Sequence, residues 1–137
     1  MNNYSEILDT NFSVKLELNL ELIGQPEYVL SINNKNYHSI MVCAQINILD
    51  AIDIEIVLKN KIYSVNSETA VHVKELRIEN ELIIPKYSHL VKYTNDHNFT
   101  DPTNYIGFNG IWRLKIAPNF FHWLHKVKGY GWNLGDK

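Results

Sequence analysis

From Phe12 to Leu22 the chain alternates without a break: Phe12, Val14, Leu16, Leu18, Leu20 and Leu22 fall on one side, and Ser13, Lys15, Glu17, Asn19 and Glu21 on the other. A period of two held this long cannot gather its apolar side chains on one stripe of a helix. In a strand, where successive side chains point to opposite faces, it places them all together. The chain therefore contains a long β-strand with one face toward a core and the other toward water.

The same design recurs downstream. Gly24, Gln25 and Pro26 interrupt it, and Tyr28, Leu30 and Ile32 restart it until Asn33, Asn34, Lys35 and Asn36 turn the chain, which predicts a hairpin because Asn tolerates the positive φ of tight turns. Tyr37 and Ile40 follow as a short strand. Val42, Ala44, Ile46 and Ile48 alternate, and so do Ile52, Ile54 and Ile56 after a break near Asp50 and Ala51; these two strands are expected to pair. Val71 and Val73 begin a segment whose parity changes before Leu76, Ile78, Leu82 and Ile84, as a bulge near Lys74 and Glu75 would produce.

Between Ser88 and Gly110 the periodicity is lost, and this stretch reads as one long loop. Trp112, Leu114 and Ile116 then form a last strong strand after the Asn109-Gly110 turn signal. Pro118 and Asn119 open a short helix with Phe120, Trp123, Leu124 and Val127 on one face and Gly129 as its stop. Tyr130, Trp132 and Leu134 suggest a final extended segment. Strands at short spacing followed by one small helix predict an all-β fold, an antiparallel β-sandwich of jelly-roll type with a closed barrel as its rival. The expected layout is one domain over residues 1–137, with 1–11 as an N-terminal segment and 118–137 as helix and tail.

Composition narrows the function classes. Apolar residues are 45% and charged residues 20% of the 137, the profile of a folded domain rather than a disordered one. Thirteen basic against 15 acidic residues leave a formal charge of -2, so no global basic field exists to hold a nucleic-acid backbone. Cys43 is the one cysteine, which excludes an internal disulfide and a cysteine-rich zinc site. No run approaches the ~20 apolar residues of a membrane-crossing helix. Met1 to Thr10 has neither the basic start nor the apolar run of a signal peptide, so synthesis is expected to end in a cytoplasm.

Three groups of side chains are candidates for function. The 95–104 loop offers Asp96, Asn98 and Asp101 among other oxygen donors, the mix that calcium prefers, although the spacing matches no EF-hand and solvated turn-capping is the competing reading. His122 and His125 lie three apart on the helix but lack the glutamate of an HExxH motif and a defined third ligand, so packing or interface roles are preferred. Phe121, Trp123, Tyr130 and Trp132 crowd the C-terminus, where aromatic rings anchor partners or stack on sugars, or else seal the sandwich. No phosphate loop, nucleophile elbow or dinucleotide fingerprint is present, and the pairs Asp50 with Asp53 and Glu79 with Glu81 lie on polar faces and turns. An enzyme is not expected.

From Leu16 to Ile84 the pattern resembles the small β-sandwich carbohydrate-binding modules of the calcium-dependent xylan-binding type. The resemblance is carried by Leu16-Glu17-Leu18-Asn19-Leu20, by Leu30-Ser31-Ile32-Asn33-Asn34, by the strand from Ile52 to Asn60 and by Val73 to Asn80. It implies the fold; the family's aspartate-rich calcium loop has no residue-by-residue counterpart. In general character the chain is also similar to accessory and receptor-facing proteins of phage particles. The leading expectation is therefore a non-catalytic protein docking into an assembly such as a virion, by self-association or onto a protein partner, through its aromatic C-terminus. The alternative is a carbohydrate-binding module, with a glycan as partner and calcium as its candidate ion.

Overall fold

The structure is a computed structural model and describes residues 12–129. The segment 1–11 and the expected extended run through Tyr130, Trp132 and Leu134 lie outside the described residues. Among the described residues ten strands form two antiparallel sheets: β1 (Ser13–Ile23), β2 (Glu27–Ile32), β3 (Lys35–Tyr37), β4 (Met41–Asn47), β5 (Ile52–Lys59), β6 (Ala70–Ile78), β7 (Glu81–Ile84), β8 (Lys92–Asn95), β9 (Tyr105–Ile106) and β10 (Gly110–Ile116). One sheet runs β4-β1-β6-β7, with β9 also on β6, and the other runs β3-β2-β5-β10-β8. A helix, α1 (Phe120–Val127), follows.

The alternation that defines β1 is what fills the core. Val14, Leu16, Leu18 and Leu20 are buried and meet the inward faces of Ile52, Ile54, Ile56 and Leu58 on β5 and of Trp112, Leu114 and Ile116 on β10 in one contiguous cluster. Each fully buried aliphatic chain contributes about 1.5–3 kcal/mol relative to exposure. The parity change is a bulge: Asn19 pairs with Glu75 but Leu20 pairs with Val73, leaving Lys74 as the extra residue. The Asn33-Asn34 turn joins β2 to β3 with φ of 51° and 69°, the two-residue hairpin with positive φ that Asn supports.

Three expectations require correction. β4 and β5 do not pair; β4 lies against β1 and β5 between β2 and β10. Their turn, closed by Asp50 N–H on the Asn47 carbonyl at 2.9 Å, carries the chain from one sheet to the other. A strand with one apolar face buries it equally well beside the next strand or across the core from it, so the period of two does not distinguish the arrangements. The run from Val71 to Ile84 is two strands, because Glu79 and Asn80 form a second positive-φ hairpin turn, at 50° and 66°. The stretch from Ser88 to Gly110 contains a single 3-10 turn, β8 and β9. Gly110 is required where β8 crosses closest, since a Cβ there would sit 2.1 Å from the Thr94 carbonyl oxygen.

The helix forms as its sequence predicts. Asn119 caps it by accepting the Phe121 and His122 N–H groups on its side chain, and Gly129 leaves it at φ 82°. Phe120 and Leu124 are buried, with Trp123 and Val127 packed half-buried against the same core. No described helix is long and apolar enough to cross a membrane.

Candidate ligand-binding cleft

Leu58 at the end of β5 and Asn95 at the end of β8 both lie opposite Gly110 at the start of β10. The segments 60–69 and 96–109 therefore leave the same end of the sandwich. They face each other across a depression of about 360 Å³ lined by Lys61, Tyr63, Glu68 and Tyr93 on one hand and Phe99, Thr103, Tyr105 and Phe108 on the other. Three of its rings are substantially exposed, Tyr63 at 42%, Phe99 at 39% and Tyr105 at 41%. Phe99 and Tyr63 meet the Phe108 ring edge-on, with centroids 6.1 and 6.2 Å apart.

Hydrogen bonds hold both segments in place. The Tyr93 hydroxyl donates to the Phe108 carbonyl at 2.5 Å and accepts the Phe108 N–H at 2.9 Å. Burial pushes this phenol up to about 12. Trp112, buried beneath, donates its indole N–H to the Thr103 carbonyl at 2.8 Å. The Asn95 side chain accepts the N–H groups of His97 and Phe99, each at 3.0 Å, and closes the tip of the loop. β9 ties the far side to the other sheet through Val71 and His72.

Two polar arrays border the cleft. In the first, Lys61 Nζ donates to Glu68 Oε1 at 2.8 Å and to the Gly107 carbonyl at 2.6 Å, while the Tyr105 hydroxyl donates to Glu68 Oε2 at 2.7 Å. The Lys61 bond, and then the Tyr105 bond, hold the Glu68 carboxyl below its ordinary range. In the second, Asn109 N–H donates to the Tyr63 hydroxyl at 2.8 Å, which donates to Asp96 at 2.8 Å, and His97 Nδ1 lies 2.7 Å from the same carboxylate. His97, then Tyr63, lower the Asp96 carboxyl. The His97 ring stacks on Phe108 with centroids 4.0 Å apart, and Tyr63 meets His97 edge-on at 4.6 Å.

The residues singled out from sequence are placed as follows. Asp96 is engaged by Tyr63 and His97, Asn98 occupies an exposed turn position at φ 56°, and Asp101 is exposed. Among the described residues no three His, Cys, Asp or Glu side chains converge as a metal site. Trp123 is half-buried, edge-on to Tyr87 at 6.2 Å and stacked with Phe120 at 6.1 Å. Phe121 is 42% exposed and lies 6.0 Å from Phe12. Tyr130 and Trp132 lie outside the described residues. His122 and His125 are on the exposed side of α1.

Three of the four carboxylates of the imagined acid pairs have structural partners. Asp53 is bound bidentately by Arg113 at 3.0 and 2.8 Å. Glu79 accepts the Lys15 N–H at 2.7 Å, and Glu81 pairs with Lys128 at 3.2 Å. The cleft residues Lys61, Tyr63, Glu68, Tyr105 and Phe108 escaped the sequence reading. The 96–109 segment carries three of the rings, Phe99, Tyr105 and Phe108, but the 60–69 segment carries only Tyr63, so no sequence signal marks the cleft as a whole.

No protein-family model matches the chain, and no curated protein matches it. Among solved structures it is similar to vCBM60 in complex with galactobiose, at 11% identity over 77% of this chain and 100% of that one, with a TM-score of 0.45.

Proposed function

We propose that the chain is a non-catalytic saccharide-binding domain whose ligand occupies the cleft between the 60–69 and 96–109 segments. The observation that carries this reading is the union of three half-exposed rings, Tyr63, Phe99 and Tyr105, with a fixed Lys61-Glu68-Tyr105 hydrogen-bond array around one depression. A sugar presents apolar C–H faces and a periphery of hydroxyls; aromatic rings support the first and immobilised polar groups the second. Both border carboxyls, Glu68 and Asp96, are held below their ordinary range, so they are ionised acceptors. A glycosidase needs one carboxyl raised to serve as an acid, and this electrostatic arrangement favours binding over hydrolysis.

Docking through the C-terminal aromatics rests, within the described residues, on Phe121 alone, because Trp123 has committed its ring to Tyr87 and Phe120.

An array of neutral oligosaccharides, run with calcium and with a chelator, tests the reading. Binding should survive chelation and weaken by about tenfold or more, ~1.4 kcal/mol, in Phe99→Ala and in Tyr105→Ala. Loss on chelation would move the site to Asp96 and Asp101, and no glycan bound in either condition would end the saccharide reading.

A further inference from the structure

β4 is an outer strand of its sheet, and among the described residues no strand pairs with its free side. The outer strands β3, β7 and β8 are blunted by shortness and charge, which keep an edge from pairing with another chain. β3 has three residues and carries Lys35, β8 has four and carries Lys92, and β7 has four, carries Glu81 and runs into Pro85. β4 has seven residues, Met-Val-Cys-Ala-Gln-Ile-Asn, with no charge and no proline, and it runs against β1 without a break in register. A depression of about 420 Å³ follows it, between residues 43–47 and Lys35 and Tyr37 of β3.

Hydrogen bonds at the two ends of β4 fix the direction of its backbone groups. Leu20 N–H donates to the Ile40 carbonyl at 2.8 Å and Ile48 N–H to the Phe12 carbonyl at 3.0 Å, so even-numbered residues turn N–H and C=O toward β1 and odd-numbered residues turn theirs to the free side. Met41 is closed off by Ser39, whose hydroxyl accepts its N–H at 3.2 Å and donates to its carbonyl at 3.0 Å. The Asn47 carbonyl is taken by Asp50 N–H. A complete donor and acceptor pair therefore stays open on Cys43 and on Gln45, on either side of Ala44. A second copy related by a two-fold axis through Ala44 sets Cys43 opposite the partner's Gln45, and four hydrogen bonds then use all of these open groups. Ala44 meets its own copy as a non-hydrogen-bonded pair, where strands approach most closely and a small side chain fits best.

Charge selects the same register. On β1, Lys15 lies opposite Gln45 and Glu17 opposite Cys43. The Ala44 axis puts Lys15 in one cross-strand row with the partner's Glu17, whereas an axis at Cys43 would align Glu17 with Glu17 and an axis at Gln45 would align Lys15 with Lys15. The same rotation brings the end of β4 with the exposed apolar residues Ile40 and Met41 alongside the end that carries exposed Leu49. We infer that β4 is the interface of a homodimer, in which two copies pair antiparallel about Ala44 and join their sheets into one of order β7-β6-β1-β4-β4-β1-β6-β7. This interface shares no residue with the cleft and does not depend on the saccharide reading.

Sedimentation velocity of the full chain over a concentration series tests the interface, and the parent should pass from monomer to dimer as concentration rises. Gln45→Pro removes two of the four hydrogen bonds by symmetry and, on an outer strand, no ladder bond inside the monomer; it should weaken the dimer by about tenfold or more. Cys43→Lys keeps every backbone group, lies opposite Glu17 of its own chain, and sets like charges diagonally across the axis. It should weaken the dimer as well, with an unchanged circular dichroism spectrum. Oxidation reads the register. In a Cys43→Ser background, Ala44→Cys puts two thiols at directly opposed positions and should yield a disulfide-linked dimer, whereas the parent's Cys43 sits diagonal to its copy, about 7–8 Å away, and should not. A parent that stays monomeric throughout would overturn the second copy as the occupant of this edge, and a dimer as tight in Cys43→Lys as in the parent would overturn β4 as its interface. Disulfide formation through Cys43 but not through Ala44→Cys would overturn the axis at Ala44.

Discussion

The Asn109 side chain pairs with the backbone of Lys61 in both directions, its Oδ1 accepting the Lys61 N–H at 2.8 Å and its Nδ2 donating to the Lys61 carbonyl at 3.0 Å. A side-chain amide here imitates one step of a β-ladder and ties the 60–69 segment to the start of β10. The Asn109 N–H meanwhile holds the Tyr63 hydroxyl at 2.8 Å. One residue therefore orients both the buried cation and one exposed ring of the cleft.

Asn109→Ala removes both side-chain bonds and strands a partly buried N–H and carbonyl. Urea denaturation should show a loss of about 1–3 kcal/mol. Affinity for a bound oligosaccharide should fall as well, since Lys61 loses its alignment. An unaltered unfolding midpoint would show that the two segments do not need this latch.

Trp112 combines complete burial with one polar obligation, the bond from its indole N–H to the Thr103 carbonyl at 2.8 Å. Trp112→Phe should cost about 1–3 kcal/mol, chiefly by leaving that carbonyl without its donor. Trp112→Ala adds a cavity and should cost about 3–5 kcal/mol. Equal midpoints for the two variants in the same denaturation series would contradict this division.

Asp53 and Arg113 predict an acid limb in stability. The Arg113 hydrogen bonds, opposed by partial burial and assisted by charge attraction, hold the Asp53 carboxyl below its ordinary 3.8. A folded value below the unfolded one means that the contribution is present above pH 3.8 and is lost as pH falls through the lower, folded value. Asp53→Asn should flatten the stability profile in that window only. Because the two side chains are 30% and 46% exposed, salt should shrink the difference between variant and parent.

Tyr93 predicts the opposite limb. Burial raises its hydroxyl from 10.0 to about 12, so the unfolded chain ionises first and the folded state loses its advantage as pH climbs through that interval. Tyr93→Phe should show a shallower decline there, read by circular dichroism against pH. The tyrosinate absorbance of the folded parent should develop later than that of the urea-unfolded chain. Coincident titration curves would refute the burial of this phenol.

The strands were legible from side-chain parity because a half-buried strand writes its two environments directly into alternating residue types. β1, the bulge at Lys74, the Asn33-Asn34 hairpin and the capped helix all followed from local rules of this kind. Pairing did not. Val42 to Ile48 and Ile52 to Ile56 each show the same apolar face whether the strands lie side by side or across the core, so only the packed structure separates β4 from β5.

Sequence by itself determined that this chain is all-β with a core drawn from alternate residues, because burial and backbone geometry act on every residue in turn. The cleft was decided by tertiary structure alone. Lys61 and Glu68 are seven positions apart, and Gly107 and Tyr105 come from the far side of β8. Nothing in either segment's pattern states that they converge. They meet because β5, β8 and β10 end or begin in register at one rim of the sandwich, and register is set by the sum of cross-strand contacts rather than by any local run of residues.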